Sequence, residues 1–213
     1  MVKTELVFIK NNEIKLEAEY FQSKNKLRKA SLLITHPHPQ FGGSMYNNIV
    51  SGVFNKFIQE DISSLRFNFR GVGNSSGNHT SDKGKLTDVK ACIDFLLNER
   101  KVENIFLCGY SYGAAIGCST INYSEKVIAY AAISFPWDFM GSKYKKLSQS
   151  DKPKFFLQGN KDDIANFERF EIHFNDYQYP KYFQIINGAD HFYRGYESQV
   201  AEKVYEFYVS LTY

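Results

Sequence analysis

NIFLCGYSYGAAIGC, residues 104–118, decides the fold. Its first half is an apolar run that reads as a strand buried on both faces. Its second half is a series of small residues that suits a helix lying close to a sheet. Between them Gly109, Ser111 and Gly113 make the pattern G-x-S-x-G. In a strand–turn–helix context that pattern is a nucleophile elbow: the serine stands on a tight, strained turn, and a glycine two residues to either side lets neighbouring backbone approach without a Cβ clash. The helix that follows puts partial positive charge where an oxyanion would develop. The bare pattern occurs readily by chance, so the weight rests on its position between strand and helix.

The same strand-then-helix cycle runs outward in both directions. Upstream, TELVFIK and EIKLEAEYF alternate apolar and polar residues about Asn11-Asn12, an antiparallel hairpin. ASLLIT (30–35) is a nearly continuous apolar run that reads as a strand and ends in the loop HPHPQFGG, and residues 46–59 carry helical spacing at Val50, Phe54, Phe57 and Ile58. ISSLRFNF is a strand, RGVGNSSGNHTSDKG a loop and LTDVKACIDFLLNER a helix. Downstream come the strands VIAYAAIS, KFFLQG and YFQIIN, a weaker helix at about 165–174 and a closing helix through SQVAEKVYEFYVSL. Strand alternating with helix predicts a single α/β domain over residues 1–213, with a mostly parallel sheet of about eight strands and helices on both faces. Ligands of such sheets sit beyond the C-terminal strand ends, so the loops after 35, 69, 109, 134, 159 and 186 carry the search for a site.

A serine hydroxyl needs a base to take its proton, and the base needs a carboxylate to orient it. After Ser111, KFFLQG ends in Asn160-Lys161-Asp162-Asp163, and YFQIIN ends in Gly188-Ala189-Asp190-His191-Phe192. The order serine, acid, histidine is that of an elbow-bearing α/β sheet. His191 is the candidate base. The residues alone leave Asp162 and Asp163 as rival acids, with Asp190 disfavoured because it adjoins His191 and would point away. His173 lies in the weaker helix near Phe170 and Phe174 and reads as a packing histidine.

HPHPQFGGSMYNN, FNFRGVGNSSG, GYSYG, QGNKDD and GADHF, taken together and in order, resemble a compact, lidless branch of the α/β-hydrolase superfamily, similar to dienelactone-hydrolase-like and short esterase-like proteins. The resemblance implies an α/β-hydrolase fold without a lid domain. It implies that the acid falls three residues after Gly159, at Asp162. It also implies an oxyanion hole built from the backbone N–H of Tyr112 and one from the loop after His36-Pro37. Pro37 and Pro39 have no N–H to give, so His38 is the first choice there and Gln40 the alternative. The expected activity is two-step acyl transfer on a carboxylic ester or thioester, by Ser111, His191 and Asp162. An amidase or peptidase of the same fold, or a non-catalytic binding protein, are the alternatives.

Other features read more plainly. Arg70–Gly77 resembles a dinucleotide fingerprint, but its glycine spacing is one residue too long, and Ser81–Gly84 stands before the next helix. Arg70 is expected to pair with Asp88. His36 and His38 lack a third ligand nearby, so no metal and no cofactor are expected. Phe135, Trp137, Phe139 and Met140 either wall an acyl site or pack on the core; only about 18 residues separate the flanking strands, too few for a lid domain. The net charge of +3 is spread along the chain, which disfavours nucleic acid as partner. No apolar run could span a membrane, and MVKTELVFIKNNEIK lacks a signal-peptide core. Three cysteines with no CxxC pair are expected to be buried reduced thiols in a cytoplasmic protein acting on a small acyl substrate.

Overall fold

The computed structural model describes residues 3–25, 30–78 and 82–211. The tail of the glycine-rich loop, 79–81, lies outside the described residues. Eight strands form one sheet in the order β1-β2-β4-β3-β5-β6-β7-β8. They are β1 (Glu5–Asn11), β2 (Ile14–Phe21), β3 (Ala30–Thr35), β4 (Ser64–Phe67), β5 (Asn104–Tyr110), β6 (Val127–Ile133), β7 (Lys154–Gly159) and β8 (Lys181–Ile186). β1 and β2 pair antiparallel to each other, and β2 pairs antiparallel to β4. β3 to β8 are parallel throughout.

The apolar strands face two cores. Leu33, Ile105 and Leu107 point to one face, under α2 (Asp82–Asp94) and α3 (Tyr112–Cys118). Leu32, Ile34, Phe106 and Cys108 point to the other, under α1 (Asn48–Gln59) and α7 (Glu197–Ser210). Successive strand residues alternate in direction, so burial on both faces favours a nearly continuous apolar run; that is the physical content of ASLLIT and NIFLCGY. The α1 stripe of Ile49, Val50, Val53, Phe54 and Phe57 is buried, while Ile58 is half-buried.

Two details differ from the sequence reading. The hairpin turn is Asn12-Glu13, because Asn11 still pairs with Ile14. Asn11 is held in the strand by its side chain, which donates to Thr87 Oγ1 and Asp88 Oδ1 at 3.0 and 2.8 Å. Helix α2 begins at Asp82, so Asp82, Lys83 and Gly84 belong to the helix instead of preceding it. That first turn has no apolar periodicity to betray it: its inner face carries Lys85 and Asp88, both buried. Beyond Asp94 the helix runs into a π-helical turn, Phe95–Glu99.

The chain steps from β3 outward to β4, then returns past β3 to β5. The strand order reverses between β3 and β5, and the crevice there is where open α/β sheets hold ligands. The β6–β7 connection holds only two short helices, α4 (Trp137–Met140) and α5 (Ser142–Leu147). One more short helix, α6 (Phe170–Asn175), follows β7. No helix among the described residues is long and apolar enough to cross a membrane. Cys92, Cys108 and Cys118 are all buried and unbridged.

Candidate active site

Ser111 sits at the end of β5 with φ +55°, the left-handed region that side-chain-bearing residues avoid. Contacts force this geometry. A Cβ on Gly109 would lie 2.6 Å from the Ala114 Cα, and one on Gly113 would lie 2.4 Å from the Thr35 carbonyl oxygen. The two glycines therefore let α3 press against both β5 and the end of β3. Backbone bonds fix the turn: Ser111 N donates to the Ile133 carbonyl at 2.8 Å, and Ala115 N to the Ser111 carbonyl at 3.2 Å.

Two further strand ends meet at this serine. His191 Nε2 lies 2.8 Å from Ser111 Oγ, and His191 Nδ1 lies 2.9 and 2.8 Å from the two Asp162 carboxylate oxygens. The Asp162 side chain is wholly buried and His191 nearly so. A carboxylate only accepts, so Nδ1 carries the hydrogen and Nε2 offers its lone pair to Ser111. Asp162 also receives Ile164 N and Ala165 N on Oδ1 and Ser134 Oγ on Oδ2. Asp163, one residue on, is exposed. Asp190 Oδ1 accepts from Phe192 N and Tyr193 N, which shapes the turn bearing His191. Tyr110 OH donates to the His191 carbonyl at 2.6 Å and ties that turn to the elbow.

Tyr112 opens α3, and its ring stands 4.6 Å edge-on from His38. His38 lines the cleft with Ser111 and Tyr112. Gln40 does not: it is exposed, and its N–H turns to His38 Nδ1 at 3.2 Å. Lys85 Nζ lies over the Tyr112 ring, 4.9 Å from its centroid.

His36 is a strut beside the cleft. Its Nδ1 bonds the Pro37 carbonyl at 2.7 Å, and its Nε2 accepts Phe69 N at 3.1 Å. Both ring nitrogens thus join the β3 and β4 loops, with Nε2 in the acceptor role. Burial pushes this imidazole down to about 4 from its ordinary 6.5. Between those values the unfolded chain binds a proton that the folded chain refuses. His36 therefore contributes stability that is complete above about pH 6.5 and is lost as pH falls toward about 4. Thermal unfolding followed across that range should show Tm falling with acid more steeply in wild type than in His36→Gln. Parallel slopes would clear His36 of this role.

The cleft over Ser111 has a volume of about 380 Å³. Its apolar wall includes Phe41, Pro136, Phe139, Ile164 and Phe192, and among the described residues no Lys, Arg, Asp or Glu lines it. Of the four apolar residues weighed after β6, only Phe139 faces it, 64% exposed. Phe135 and Trp137 are buried in the core, and Met140 packs against it. His173 stacks on Trp137 at 5.1 Å and bonds Asp138, as a packing histidine would. Arg70 is engaged by Asp88, with contacts of 2.7 to 3.1 Å from its guanidinium. The glycine loop is folded onto a carboxylate of the chain itself, since Asn74 N and Asn74 Nδ2 both donate to Glu17.

A family model described as alpha/beta hydrolase domain matches residues 28–204. The chain belongs to this family. The alpha/beta hydrolase domain thus takes in β3 through most of α7, with every element that builds the cleft. An uncharacterized protein of Rickettsia prowazekii (strain Madrid E) is 26% identical over 96% of this chain and 89% of its own length. An alpha-beta serine hydrolase homologue from Coxiella burnetii is 28% identical, with a TM-score of 0.86 over 95% of this chain and 96% of that one. A Xanthomonas campestris serine hydrolase without lid is 19% identical, with a TM-score of 0.77 over 95% of both chains; it shares the fold.

Several cleft and support residues are given no site role by the sequence reading: Ser134, Tyr193, Tyr110, Phe41, Ile164 and Phe192. Position was the available signal. Each lies at or just beyond a C-terminal strand end, and the apolar ones stand in loops where a solvated residue would be ordinary.

Proposed function

We propose that the chain is a serine hydrolase that cleaves carboxylic esters or thioesters through an acyl-enzyme. One observation carries this reading: the continuous hydrogen-bonded chain Ser111 Oγ, His191 and Asp162, built on a left-handed elbow. Ser111 Oγ attacks the acyl carbonyl while His191 Nε2 takes its proton. The imidazolium that forms is stabilised by Asp162. The carbonyl oxygen becomes an oxyanion facing the N–H of Tyr112 at the start of α3, with His38 N–H as the second donor. His191 then returns its proton to the departing alkoxide or thiolate. Water, deprotonated by the same nitrogen, releases the acid and restores Ser111. Three buried thiols suit a reducing compartment, and we take that compartment to be the cytoplasm.

The cleft adds a bias in the acyl group. A carboxylate carried into an apolar wall with no cationic partner loses hydration without recompense. A short or medium aliphatic p-nitrophenyl ester should therefore be hydrolysed at least about tenfold faster than a hemisuccinate ester of similar length. Purified protein, a fluorophosphonate probe and these two esters test the reading together. Covalent labelling mapped to Ser111 is expected. No labelling and no turnover would sink the assignment, and equal rates on the two esters would sink the bias alone.

A further inference from the structure

Asp162 Oδ2, 2.8 Å from His191 Nδ1, is also held by a residue outside the triad. Ser134 Oγ lies 2.6 Å from Asp162 Oδ2, and Tyr193 OH lies 2.7 Å from Ser134 Oγ. Both residues are fully buried. The direction of the chain follows from counting hydrogens. The carboxylate can only accept, so the single Ser134 hydrogen goes to Oδ2. Tyr193 must then donate to Ser134; its other acceptor, the Leu157 carbonyl, is distant at 3.5 Å. The Tyr193 phenol is pushed up by burial and stays a donor.

The backbone singles out the same residues. Six described non-glycine residues have positive φ. Asn12 sits in the hairpin turn, and Asp61 and Lys101 sit just past helical segments. The other three are Ser111, Ser134 (φ +47°) and Tyr193 (φ +53°). A left-handed serine and a left-handed tyrosine persist only where the surroundings over-determine them, and such strain gathers at functional sites. Here the hydroxyls of both strained residues join in one chain that ends on Asp162 Oδ2. Ser134 directly follows β6 and Tyr193 lies two residues beyond His191, so the relay straps the loop of the base to the acid in the loop after β7.

We propose that Tyr193 and Ser134 are positioning residues that clamp Asp162 Oδ2 in line with His191, so that Nε2 keeps its lone pair on Ser111. This rests on reading Ser111, His191 and Asp162 as a catalytic triad. Without the Ser134 donor, the buried oxygen Oδ2 is left with His191 Nδ1 as its donor, its charge is less compensated, and it draws a proton, from His191 or from solvent, more readily. The acid limb of kcat/KM should then move to higher pH. The other titratable groups facing His191 are Tyr110, a phenol pushed up by burial, and Asp190, whose Oδ1 is bonded to backbone.

Ser134→Gly, Tyr193→Phe and the double variant test this with a p-nitrophenyl ester across pH. Glycine removes the hydroxyl and tolerates φ +47° better than serine; phenylalanine deletes one oxygen and keeps the ring. Ser134→Gly should lose about tenfold to a hundredfold in kcat, as a charge-assisted hydrogen bond warrants, with the acid limb shifted upward. Tyr193→Phe should lose less and shift the same way. The double variant should be no worse than Ser134→Gly, because Tyr193 acts through Ser134. Unchanged rates overturn the relay, and so does a loss of rate with the limb unmoved, which would mean simple packing. Additive losses overturn the coupling. Wild-type protein that fails to label at Ser111 overturns the triad and the relay together.

Discussion

Ser111→Ala is expected to lower ester turnover by about a millionfold and to abolish fluorophosphonate labelling, with the melting temperature little changed. The size follows from the arrangement. Ser111 Oγ stands at the turn from β5 into α3, and His191 Nε2 lies 2.8 Å from it. With Oγ gone, His191 and Asp162 have no nucleophile to activate, and only binding and oxyanion stabilisation persist. The fold should tolerate the change, because α3 is set by Gly109, Gly113 and backbone bonds, none of which uses the Ser111 hydroxyl. Turnover above about a hundredth of wild type, in protein free of contaminating esterase, would mean that another group carries the chemistry.

The elements legible in the sequence are those whose physics is local. ASLLIT and NIFLCGY read as buried strands because a short, nearly continuous apolar run bounded by turn residues fits a strand covered on both faces. Strand alternating with helix leaves few topologies, and the strand-end rule then directs attention to the loops that hold Ser111, Asp162 and His191. What stayed hidden depends on where a side chain turns. Phe135 and Phe139 look alike in sequence, yet Phe135 stacks on Trp137 at 5.1 Å in the core while Phe139 stands over the cleft. Gln40 and His38 are two residues apart in one loop, and only the three-residue turn at Pro39–Phe41 separates their fates. The start of α2 escaped notice because its inner face is polar: Asp88 reaches back to Arg70, and Lys85 sits under Tyr112. Ser134 and Tyr193 carry no motif. Their importance lies in a hydroxyl chain that exists only once three loops have met.

Asp162 and Asp163 present the sharpest contrast of neighbours, and the second large effect separates them. Asp162→Asn is expected to cost on the order of ten-thousandfold in kcat, while Asp163→Asn should leave kcat within about twofold of wild type. Both changes replace one carboxylate oxygen by NH2 at nearly constant volume, so packing cannot account for a difference. At position 162 an amide confronts incompatible demands. The carboxylate accepts from Ile164 N, Ala165 N, Ser134 Oγ and His191 Nδ1 in one buried site. An amide must turn its NH2 toward at least one of these donors. Turned toward His191, it favours the tautomer with hydrogen on Nε2, which can no longer take the serine proton. Turned toward Ile164 and Ala165, it sets N–H against N–H and leaves buried donors unpaired. Neither rotamer supplies the negative charge that steadies an imidazolium. Asp163 meets none of these demands, since it is exposed to solvent. Rates for both variants under substrate saturation, with circular dichroism to verify folding, decide the matter. A crippled Asp163→Asn beside an active Asp162→Asn would reverse the assignment of the acid. Two active variants would remove the carboxylate at this loop from the mechanism, whatever the hydrogen bond to His191.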